Sequence, residues 1–490
     1  MHRSTRFAPR LRRPEIYLLL GAALCGALLF AKLHVGDLPG YDDAVYAHEG
    51  REMLRTGDWW NVSLNGRPDF DKPPLFIWLE AASLRTFGVS DFAARLPAAL
   101  AGLGTVLLVF FLARELSHEP WLPALAMFVM MTTQYFMRYA MHAMTDVPFT
   151  FFFTLAMLCY VKGLRRPGFF LPCGLAIAGA ILTRSVLGAI PLAIIAAHLA
   201  HGGRAATLRS RSLVAGCLVA LGLPLVWFAS QYLRHGEPFL AGHVAFMVEN
   251  LPEARGGGVG GFLQYPLFLL RDYWPWLPAA LAGLALQIGR LRRGPDPAAS
   301  LLCLWIALLI VPFSLLEIKT LRYVMPVFPA FAILAAGALN RWIPERRKSV
   351  CLKAAYVSLG CALLVMAALP KYRTRPEEMR RLAPVAQAHT DSGEAILLYT
   401  RGERRWDLVH QVIWYAERHC EHLTDVGELR ARLGGGARRA AIMDRATFTG
   451  LGACLGRSAE VLGETESFVC FRLETLLDAA RHAPAPPAEE

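Results

Sequence analysis

Repeated apolar stretches of spanning length constrain this chain more than any other feature of its sequence. A helix needs about twenty apolar residues to cross the hydrocarbon core of a bilayer, and about eleven stretches of roughly that length are present. Each is predicted to be helical, because lipid offers no hydrogen-bond partner to backbone N–H and C=O groups. The stretches are Ile16–Leu33, Phe92–Leu112, Trp121–Phe136, Val147–Val161, Phe169–Leu182, Val186–Leu199, Leu213–Tyr232, Trp274–Ile288, Ser300–Leu316, Tyr323–Leu339 and Val350–Leu369.

The positive charge of the chain does not indicate a nucleic-acid partner. The net charge is +12 in 490 residues, but 55% of the residues are hydrophobic and the basic residues recur in separate short loops. The loops that contain the basic residues are every second loop along the chain, as the positive-inside rule requires. We therefore expect an uncleaved first span, a cytoplasmic N-terminus and a C-terminal segment on the opposite side of the membrane.

Three loops on the predicted outer side carry acidic residues. Asp42 and Asp43 follow the first span, Asp71 lies further along the same loop, and Asp146 lies in a later short loop. Carboxylates collected at one membrane face, with cations beside them, indicate chemistry on a substrate held in lipid. Asp43 and Asp146 also have a simpler interpretation as helix N-caps. For Asp146 both interpretations stay open.

Several basic residues depart from the positive-inside pattern because they lie at the predicted outer face. Arg184 interrupts an apolar run, where an unpaired charge is costly, so a functional partner is expected. Cations in a water-poor site strongly stabilise negative charge that develops on a phosphate. The exceptions therefore predict a phosphate site at this face. They are Lys72, Arg138, Arg184, Lys319 and Arg322.

Two of the outer loops are long. The second, Leu233–Asp272, contains a glycine-rich run over residues 256–261, which favours flexibility. The first, residues 35–90, contains several signals for local structure. They indicate a helix over Ala44–Thr56 ended by Gly57, a turn at Gly66–Pro68, an apolar segment over Leu75–Phe87 and a cap for the second span at Ser90.

The composition changes after about Pro370, where charged residues become frequent and spanning runs end. We expect residues 371–490 to form a small α/β domain outside the membrane, with a disordered tail over His482–Glu490. Residues 1–370 form the membrane domain. The expected strands are Glu394–Thr400, Arg439–Met443 and Ser467–Leu473, and the expected helices are Arg375–Ala388, Trp406–Arg418 and Val426–Leu433.

Short motifs in the first outer loop carry a resemblance to a known family. They are Tyr-Asp-Asp-Ala-Val-Tyr-Ala from residue 41, Gly-Asp-Trp from residue 57 and Asp-Lys-Pro-Pro-Leu from residue 71. This block resembles the aminoarabinose transferase and protein mannosyltransferase-like group of polyprenyl-phosphate glycosyltransferases. The resemblance covers roughly residues 35–340. It implies a GT-C fold with about 11–13 transmembrane helices.

The chain also departs from the pattern of that family. The family usually has Asp-Glu where Asp42 and Asp43 stand, and commonly an arginine where Val45 stands. It often has glutamate where Asp71 stands, and a lysine where Arg184 stands. The sugar and the acceptor of the aminoarabinose enzymes therefore do not carry over directly to this chain.

The resemblance implies an inverting glycosyltransferase, a hexosyl- or pentosyltransferase that uses a sugar linked to polyprenyl phosphate. The acceptor would be a lipid A-like lipid, a glycan or a protein at the periplasmic face of a bacterial inner membrane. The expected roles are catalysis for Asp42 and Asp43; binding of donor phosphate for Lys72, Arg138, Arg184, Lys319, Arg322 and Tyr323; and binding of acceptor or substrate for Tyr46, Asp71, Asp146 and Tyr265.

Other interpretations of the sequence remain open at this point. A divalent metal ion held by Asp42, Asp43 and Asp146 is conceivable because hard cations favour oxygen ligands, although the spacing does not demand one. A transporter or flippase for a lipid-linked or anionic solute is the alternative function, and it would require ionisable residues in broken helices. Val45 also keeps open an inactive relative that only binds prenyl phosphate.

Overall fold

The structure, a computed structural model, describes residues 13–40, 42–203, 207, 209–249, 264–315, 320–368, 377–402, 405–434, 438–455 and 459–473. The chain divides into two compact units. The membrane unit is assigned Met1–Leu33, Gly57–Val62 and Pro68–Pro370. The C-terminal unit is assigned His34–Thr56, Ser63–Arg67 and Lys371–Glu490, so it includes two segments of the first loop.

The membrane unit is helical, and every apolar stretch marked in the sequence contains a helix. Within the described ranges, five helical stretches are long and apolar enough to cross a membrane, and three shorter apolar helices accompany them. The predicted all-α polytopic membrane fold is confirmed. The helices up to residue 368 are α1 (Arg13–Phe30), α2 (Asp42–Thr56, in the C-terminal unit), α3 (Leu75–Phe87), α4 (Asp91–Leu116), α5 (Leu122–Met131), α6 (Gln134–Tyr139), α7 (Asp146–Gly163), α8 (Phe170–Arg184), α9 (Ile190–His201), α10 (Arg211–His235), α11 (Glu237–Glu249), α12 (Gln264–Asp272), α13 (Leu277–Arg293), α14 (Pro297–Ser314), α15 (Val327–Trp342) and α16 (Glu345–Ala368).

Two expectations for the membrane unit need correction. The stretch over residues 121–136 is not one helix, because Thr132 and Thr133 interrupt it between α5 and α6. Their hydroxyls donate to the carbonyls of Phe128 and Val129, at 2.6 and 2.9 Å, and bonds of this kind often bend a helix. The second long loop contains two helices, α11 and α12. Its glycine-rich run lies outside the described residues.

A helical hairpin of α8 and α9 closes at Ser185, whose backbone has φ 53°. A 3-10 turn over Ser185–Ala189 follows. A Cβ atom added at Gly188 would lie 2.2 Å from the backbone nitrogen of Ile181, so the returning chain touches the helix that it has just left. Two predicted spans therefore run in opposite directions. The reversal leaves Arg184 at an end of the bundle.

Local signals in the first loop are mostly confirmed. The Ser90 hydroxyl accepts from the Ala93 N–H at 3.3 Å and caps α4, and α3 has the predicted bounds. The expected turn is misplaced by one residue: strands β1 (Ser63–Leu64) and β2 (Arg67–Pro68) pair around Asn65 and Gly66. Both turn residues have positive φ. An Asn-Gly pair is the common signal for such a hairpin turn.

The C-terminal unit contains a five-stranded mixed sheet in the order β4-β3-β5-β7-β6. Strand β3 pairs in parallel with both β4 and β5, while β7 runs antiparallel to β5 and β6. The predicted α/β fold and its three predicted strands are confirmed, whereas β4 and β6 were not anticipated. The elements are α17 (Glu378–Ala388), β3 (Ile396–Tyr399), α18 (Trp406–Ala416), β4 (Cys420–Leu423), α19 (Val426–Leu433), β5 (Ala441–Asp444), α20 (Arg445–Leu455), β6 (Ala459–Glu464) and β7 (Phe468–Leu473).

Helix α2 packs on α18 inside the C-terminal unit. The Arg51 guanidinium donates to the carbonyls of Ile413 and Trp414 at 3.0 and 2.8 Å, and lies 4.9 Å from the centre of the Trp414 ring. These carbonyls belong to the last turn of α18, where the Ile413 carbonyl also accepts from the Glu417 N–H at 3.0 Å. Arg51 therefore caps α18, and α2 is part of this α/β unit.

Close contacts between helix backbones in the membrane unit occur at glycines. A Cβ atom at Gly174 of α8 would lie 2.1 Å from the carbonyl oxygen of Gly216 on α10. Small residues allow backbones to approach within a membrane, where packing rather than the hydrophobic effect holds helices together. The pair therefore sets the distance between α8 and α10.

We expect Gly174→Ala to lower the free energy of unfolding by about 1–3 kcal/mol, because the new methyl group overpacks a backbone contact. Gly222→Ala on α10 is the matched control, because a Cβ atom added there would lie more than 4 Å from the packed neighbours that the structure describes. That change should stabilise the helix by up to about 1 kcal/mol. Thermal unfolding of the purified variants measures both effects. Equal shifts of the same sign would contradict the close packing.

Candidate active site

An ion pair in the membrane unit joins the buried Asp146 carboxylate to the half-buried Arg184 guanidinium. Asp146 stands in the first turn of α7 and is 1% exposed. One of its carboxylate oxygens accepts a short hydrogen bond from Nη1 of Arg184, the last residue of α8. The same Nη1 donates to the Thr145 hydroxyl at 3.3 Å. The N-cap position of α7 belongs to Thr145, so Asp146 acts as the partner of this cation and not as an N-cap.

Aromatic and basic side chains of a third segment adjoin this pair. The Arg184 guanidinium lies 5.3 Å from the centre of the Tyr323 ring, a cation–π distance. Tyr323 belongs to a 3-10 turn that leads into α15, together with Arg322, whose Nη1 lies 4.0 Å from the Met144 sulfur. The buried Tyr265 hydroxyl donates to the Thr320 carbonyl at 3.3 Å, just before that turn. The fold therefore brings Asp146, Arg184, Arg322 and Tyr323 together.

Arg138 is held by its own helix. The guanidinium is exposed and lies 5.4 Å from the ring centres of both Tyr135 and Tyr139 on α6. A weakly hydrated guanidinium stacks well on such rings. This arrangement orients the Arg138 side chain. Lys319, another predicted phosphate ligand, lies outside the described residues.

The acid–base pair of the first loop lies in a short structured segment of the membrane unit. Asp71 is exposed and Lys72 is half-buried. The Asp71 N–H donates to the Asp69 carboxylate at 2.8 Å, and the Phe70 carbonyl accepts from His243 at 2.7 Å. Hydrogen bonds at Asp69, Phe70 and Asp71 therefore hold the backbone just before Lys72.

The acidic pair of the first loop belongs to the C-terminal unit. Asp42 and Asp43 form the first turn of α2, where the helix dipole favours negative charge. Asp42 is half-buried and accepts from the Tyr46 hydroxyl at 3.4 Å, while Asp43 is 2% exposed. Both residues lie inside the helix, so neither is its N-cap. Tyr46 thus holds the carboxylate that the sequence singles out as catalytic.

Sequence reasoning did not anticipate a polar network on α2. The His48 Nδ1 accepts from Arg51 at 2.8 Å, its Nε2 lies 3.3 Å from the Glu52 carboxylate, and Glu52 accepts from the Gly66 N–H at 3.0 Å. Burial raises the pKa of Glu52, but hydrogen bonds from the His48 and Ser63 side chains and from Gly66 outweigh burial and bring the pKa to about 2. The spacing of His48 and Glu52 by four residues was the available signal.

The metal site that the sequence left open, at Asp42, Asp43 and Asp146, does not appear as a cluster of ligands among the described residues. Among the described residues, no group of three histidine, cysteine, aspartate or glutamate side chains is placed to hold a metal ion. Asp146 uses its carboxylate to bind Arg184. A metal ion held by Asp42, Asp43 and Asp146 therefore stays an unconfirmed prediction.

Comparisons with known proteins identify a similar family and similar relatives. Residues 16–239 match the family described as dolichyl-phosphate-mannose-protein mannosyltransferase. An uncharacterised protein of Aquifex aeolicus is 27% identical over 68% of this chain and 65% of its own length. The undecaprenyl phosphate-alpha-4-amino-4-deoxy-L-arabinose arabinosyl transferase of Edwardsiella ictaluri is 28% identical over 66% of this chain and 60% of its own length. The chain thus spans less than two thirds of these relatives.

A solved structure shares the fold over nearly the whole chain. ArnT from Cupriavidus metallidurans, in its apo state, superposes with a TM-score of 0.72, at 19% identity, over 94% of this chain and 98% of that chain. Its complex with undecaprenyl phosphate superposes with a TM-score of 0.70, at 20% identity, over 93% and 97%. At this identity the likeness concerns the fold alone.

The fold is that of a GT-C type membrane protein. Within that class, the chain is similar to aminoarabinose transferases and to the protein mannosyltransferase family. The resemblance that the first-loop motifs suggested is therefore confirmed.

We expect Asp146→Asn to lower the free energy of unfolding by about 3–5 kcal/mol, because it leaves the half-buried Arg184 charge without its partner. The double variant with Arg184→Gln should cost less than the sum of the two single changes. Thermal or denaturant unfolding of the four proteins measures this coupling. The exposed pair Glu115 and Arg165, 3.1 Å apart, is the control and should couple by less than about 1 kcal/mol. Additive losses at Asp146 and Arg184 would contradict the pairing.

Glu52 should make the stability of the C-terminal unit depend on pH in the acid range. Its folded-state pKa is about 2, below the ordinary 4.5, so ionised Glu52 stabilises the fold at neutral pH and this stabilisation is lost as the pH falls from about 4.5 towards 2. Glu52→Gln should therefore unfold more easily than wild type at pH 7, and the difference should shrink over that window.

Acid unfolding of the full chain, followed by intrinsic fluorescence, measures this difference. The exposed Glu428→Gln change in the same unit is the control and should shift stability by less than about 0.5 kcal/mol. A difference between wild type and Glu52→Gln that stays constant down to pH 2 would contradict an ionised Glu52.

Proposed function

We propose that this protein is an inverting glycosyltransferase that moves a sugar from a polyprenyl-phosphate donor to a lipid, glycan or protein acceptor. The observation that carries the proposal is the cluster of the buried Asp146 with the half-buried Arg184 and Tyr323, with Arg322 beside it. The matched family and the arabinosyl transferase relative are named for lipid-linked sugars, and a structure with the same fold is bound to undecaprenyl phosphate. The matched family and the Edwardsiella ictaluri relative are described as transferases, which favours this function over the transporter alternative.

The chemistry of the donor explains why cations are needed. When the bond between the anomeric carbon and the phosphate oxygen breaks, negative charge develops on the departing polyprenyl phosphate. Preorganised N–H donors in a water-poor site stabilise such charge without reorganising. Arg184 suits this role because Asp146 and Thr145 bind one end of its guanidinium group and fix its plane. A fixed guanidinium presents its donors in a planar fork that matches phosphate.

The other proposed phosphate ligands have supporting geometry. Tyr323 packs under Arg184, and Arg322 belongs to the same turn. Lys72 is half-buried in a segment held by backbone contacts, and Arg138 is oriented by two tyrosine rings. Each is proposed to bind phosphate oxygen in the donor or in the leaving group. Lys319 keeps the same proposed role from the sequence.

Asp42 is proposed to activate the acceptor. A hydroxyl acceptor attacks the anomeric carbon from the face opposite the phosphate, which inverts the configuration, and its proton passes to the carboxylate. Such general-base assistance contributes roughly 10²–10⁴-fold to a rate. Tyr46 holds the Asp42 carboxylate through its hydroxyl. Asp43, Asp71 and Tyr265 are proposed to support the binding of acceptor or substrate.

The membrane orientation is also part of the proposal. The alternation of basic loops places the N-terminus in the cytoplasm and the C-terminal unit in the periplasm of a bacterial inner membrane. The candidate spans support the membrane location in general. Asp42, Lys72 and Asp146 would then work at the periplasmic face, where a lipid acceptor or an envelope glycan is accessible.

Transfer from labelled polyprenyl-phosphate sugars to membrane lipids, measured with purified protein, tests the proposal. Asp42→Asn should lower the rate by about 10²-fold or more, because it removes the proposed base. Asp296→Asn is the matched control: Asp296 caps α14 by accepting from the Ala299 N–H at 3.0 Å, and asparagine caps equally well. A transfer rate in Asp42→Asn equal to that of the control removes Asp42 from the mechanism.

A further inference from the structure

His243 connects two parts of the membrane unit that carry proposed phosphate ligands. It lies on α11 and is 5% exposed. Its Nδ1 lies 2.7 Å from the Phe70 carbonyl oxygen, and its Nε2 lies 2.9 Å from the Ser185 hydroxyl. Phe70 stands two positions before Lys72, and Ser185 follows Arg184 directly. One imidazole ring and two hydrogen bonds thus separate the first-loop motif from the end of α8.

The partners of His243 determine its tautomer. A carbonyl oxygen can only accept, so Nδ1 must carry the proton and donate to Phe70. The Nε2 atom of the neutral ring then accepts from the Ser185 hydroxyl. Burial lowers the pKa of His243, despite the opposing effect of the Phe70 hydrogen bond, which agrees with a neutral ring. Both nitrogen atoms are therefore hydrogen-bonded: Nδ1 needs an acceptor and Nε2 needs a donor.

The ring is also held in one orientation by packing. It stacks on Phe239 with ring centroids 5.8 Å apart and an angle of 18° between the planes. Phe228 contacts it edge-on at 5.3 Å. Phe70 in turn packs against Phe239 at 5.5 Å. His243 thus joins the loop and the helix end as a rigid group.

Ser185 shows that the helix end is held under strain. Its φ of 53° and ψ of −135° form a conformation that suits glycine and costs about 1–3 kcal/mol for other residues. A residue persists there only when surrounding contacts require it. The hydroxyl bonded to His243 is one such contact, and the reversal of the chain at Ser185 is what leaves Arg184 beside Asp146.

We propose that His243 is a positioning residue that clamps the Phe70–Lys72 segment to the Arg184–Ser185 end of α8, so that Lys72 and Arg184 serve the same anionic group of a phosphate-bearing lipid. This inference rests on the proposed function for the identity of that lipid. His243 touches no reacting atom in this scheme. Its effect is the relative placement of two cations.

A second buried histidine allows this role to be separated from ordinary stabilisation. His198 also bonds one hydroxyl and one carbonyl, with the roles of the two nitrogen atoms exchanged: Nδ1 lies 2.6 Å from the Tyr160 hydroxyl and Nε2 lies 2.9 Å from the Pro297 carbonyl. It joins α7, α9 and α14, and neither Tyr160 nor Pro297 belongs to the proposed site. His198→Gln is therefore a matched control that should reduce thermal stability without changing the binding of phosphate.

The two bonds of His243 can be removed one at a time. In His243→Asn the amide group takes the place of Nδ1 and keeps the bond to Phe70, whereas in His243→Gln the side-chain oxygen takes the place of Nε2 and keeps the bond to Ser185. Ser185→Ala removes only the hydroxyl, and the backbone strain stays the same because alanine disfavours positive φ as serine does. Ser185→Gly removes the hydroxyl and also relieves the strain.

The experiment measures amide hydrogen exchange over residues 69–72 and the Kd for undecaprenyl phosphate, with the purified full chain in nanodiscs. Exchange over residues 69–72 should rise in His243→Gln and stay near wild type in His243→Asn and Ser185→Ala. The Kd should rise about tenfold in each of these three variants and stay unchanged in His198→Gln. In a transfer assay, the donor KM should rise more than kcat falls, since bound donor uses the same cations.

Each outcome decides a separate point. Exchange unchanged in His243→Gln overturns the clamp. A loosened segment with a wild-type Kd overturns the positioning role, as does a wild-type protein that binds no undecaprenyl phosphate. A wild-type protein that binds the lipid but transfers no sugar from any donor overturns the proposed function and leaves the clamp standing.

Discussion

A carboxylate and a guanidinium inside a bundle of apolar helices are tolerated only as a pair, because either charge alone would lose its hydration without compensation. Asp146 and Arg184 meet this condition, and the arrangement of the polar end of the membrane unit depends on it. The pair holds the start of α7 against the end of α8. It also sets the plane of the guanidinium that packs on Tyr323. A cation kept in place before any ligand arrives is what electrostatic stabilisation of a leaving phosphate requires.

The neighbouring segments are tied to this pair by fixed polar contacts. His243 joins the Phe70 carbonyl to the Ser185 hydroxyl, and the Tyr265 hydroxyl bonds the chain just before the turn with Arg322. Two of these contacts end on backbone carbonyls, which can only accept a hydrogen bond. Similar polar contacts occur in the C-terminal unit, where the Tyr46 hydroxyl donates to Asp42 and the Gly66 N–H donates to Glu52. Polar groups in both units therefore order backbone segments that carry the proposed functional side chains.

Much of this arrangement was accessible from sequence because the underlying signals are local. Spanning helices follow from runs of apolar residues, the α4 cap from Ser90, and α3 from the apolar run after two prolines. The pairing of Arg184 was expected because an isolated charge in an apolar run needs a partner. That the partner is Asp146 was not expected, since the residues are far apart in sequence and meet only when α7 and α8 pack side by side. The split at Thr132 and Thr133 was missed because hydropathy does not register side-chain bonds to the backbone.

The sequence by itself determined the class of protein: apolar length imposes helices in lipid, the distribution of basic loops predicts their direction, and the first-loop motif indicates the family. Only the tertiary structure decided which charges are partners, that α2 belongs with the α/β unit through Arg51, and that His243 links Phe70 to Ser185. The physical reason is the sequence separation of the residues that interact. Helix formation and capping depend on neighbours within a few positions, whereas ion pairs, buried histidines and helix docking depend on contacts that exist only after distant segments have packed.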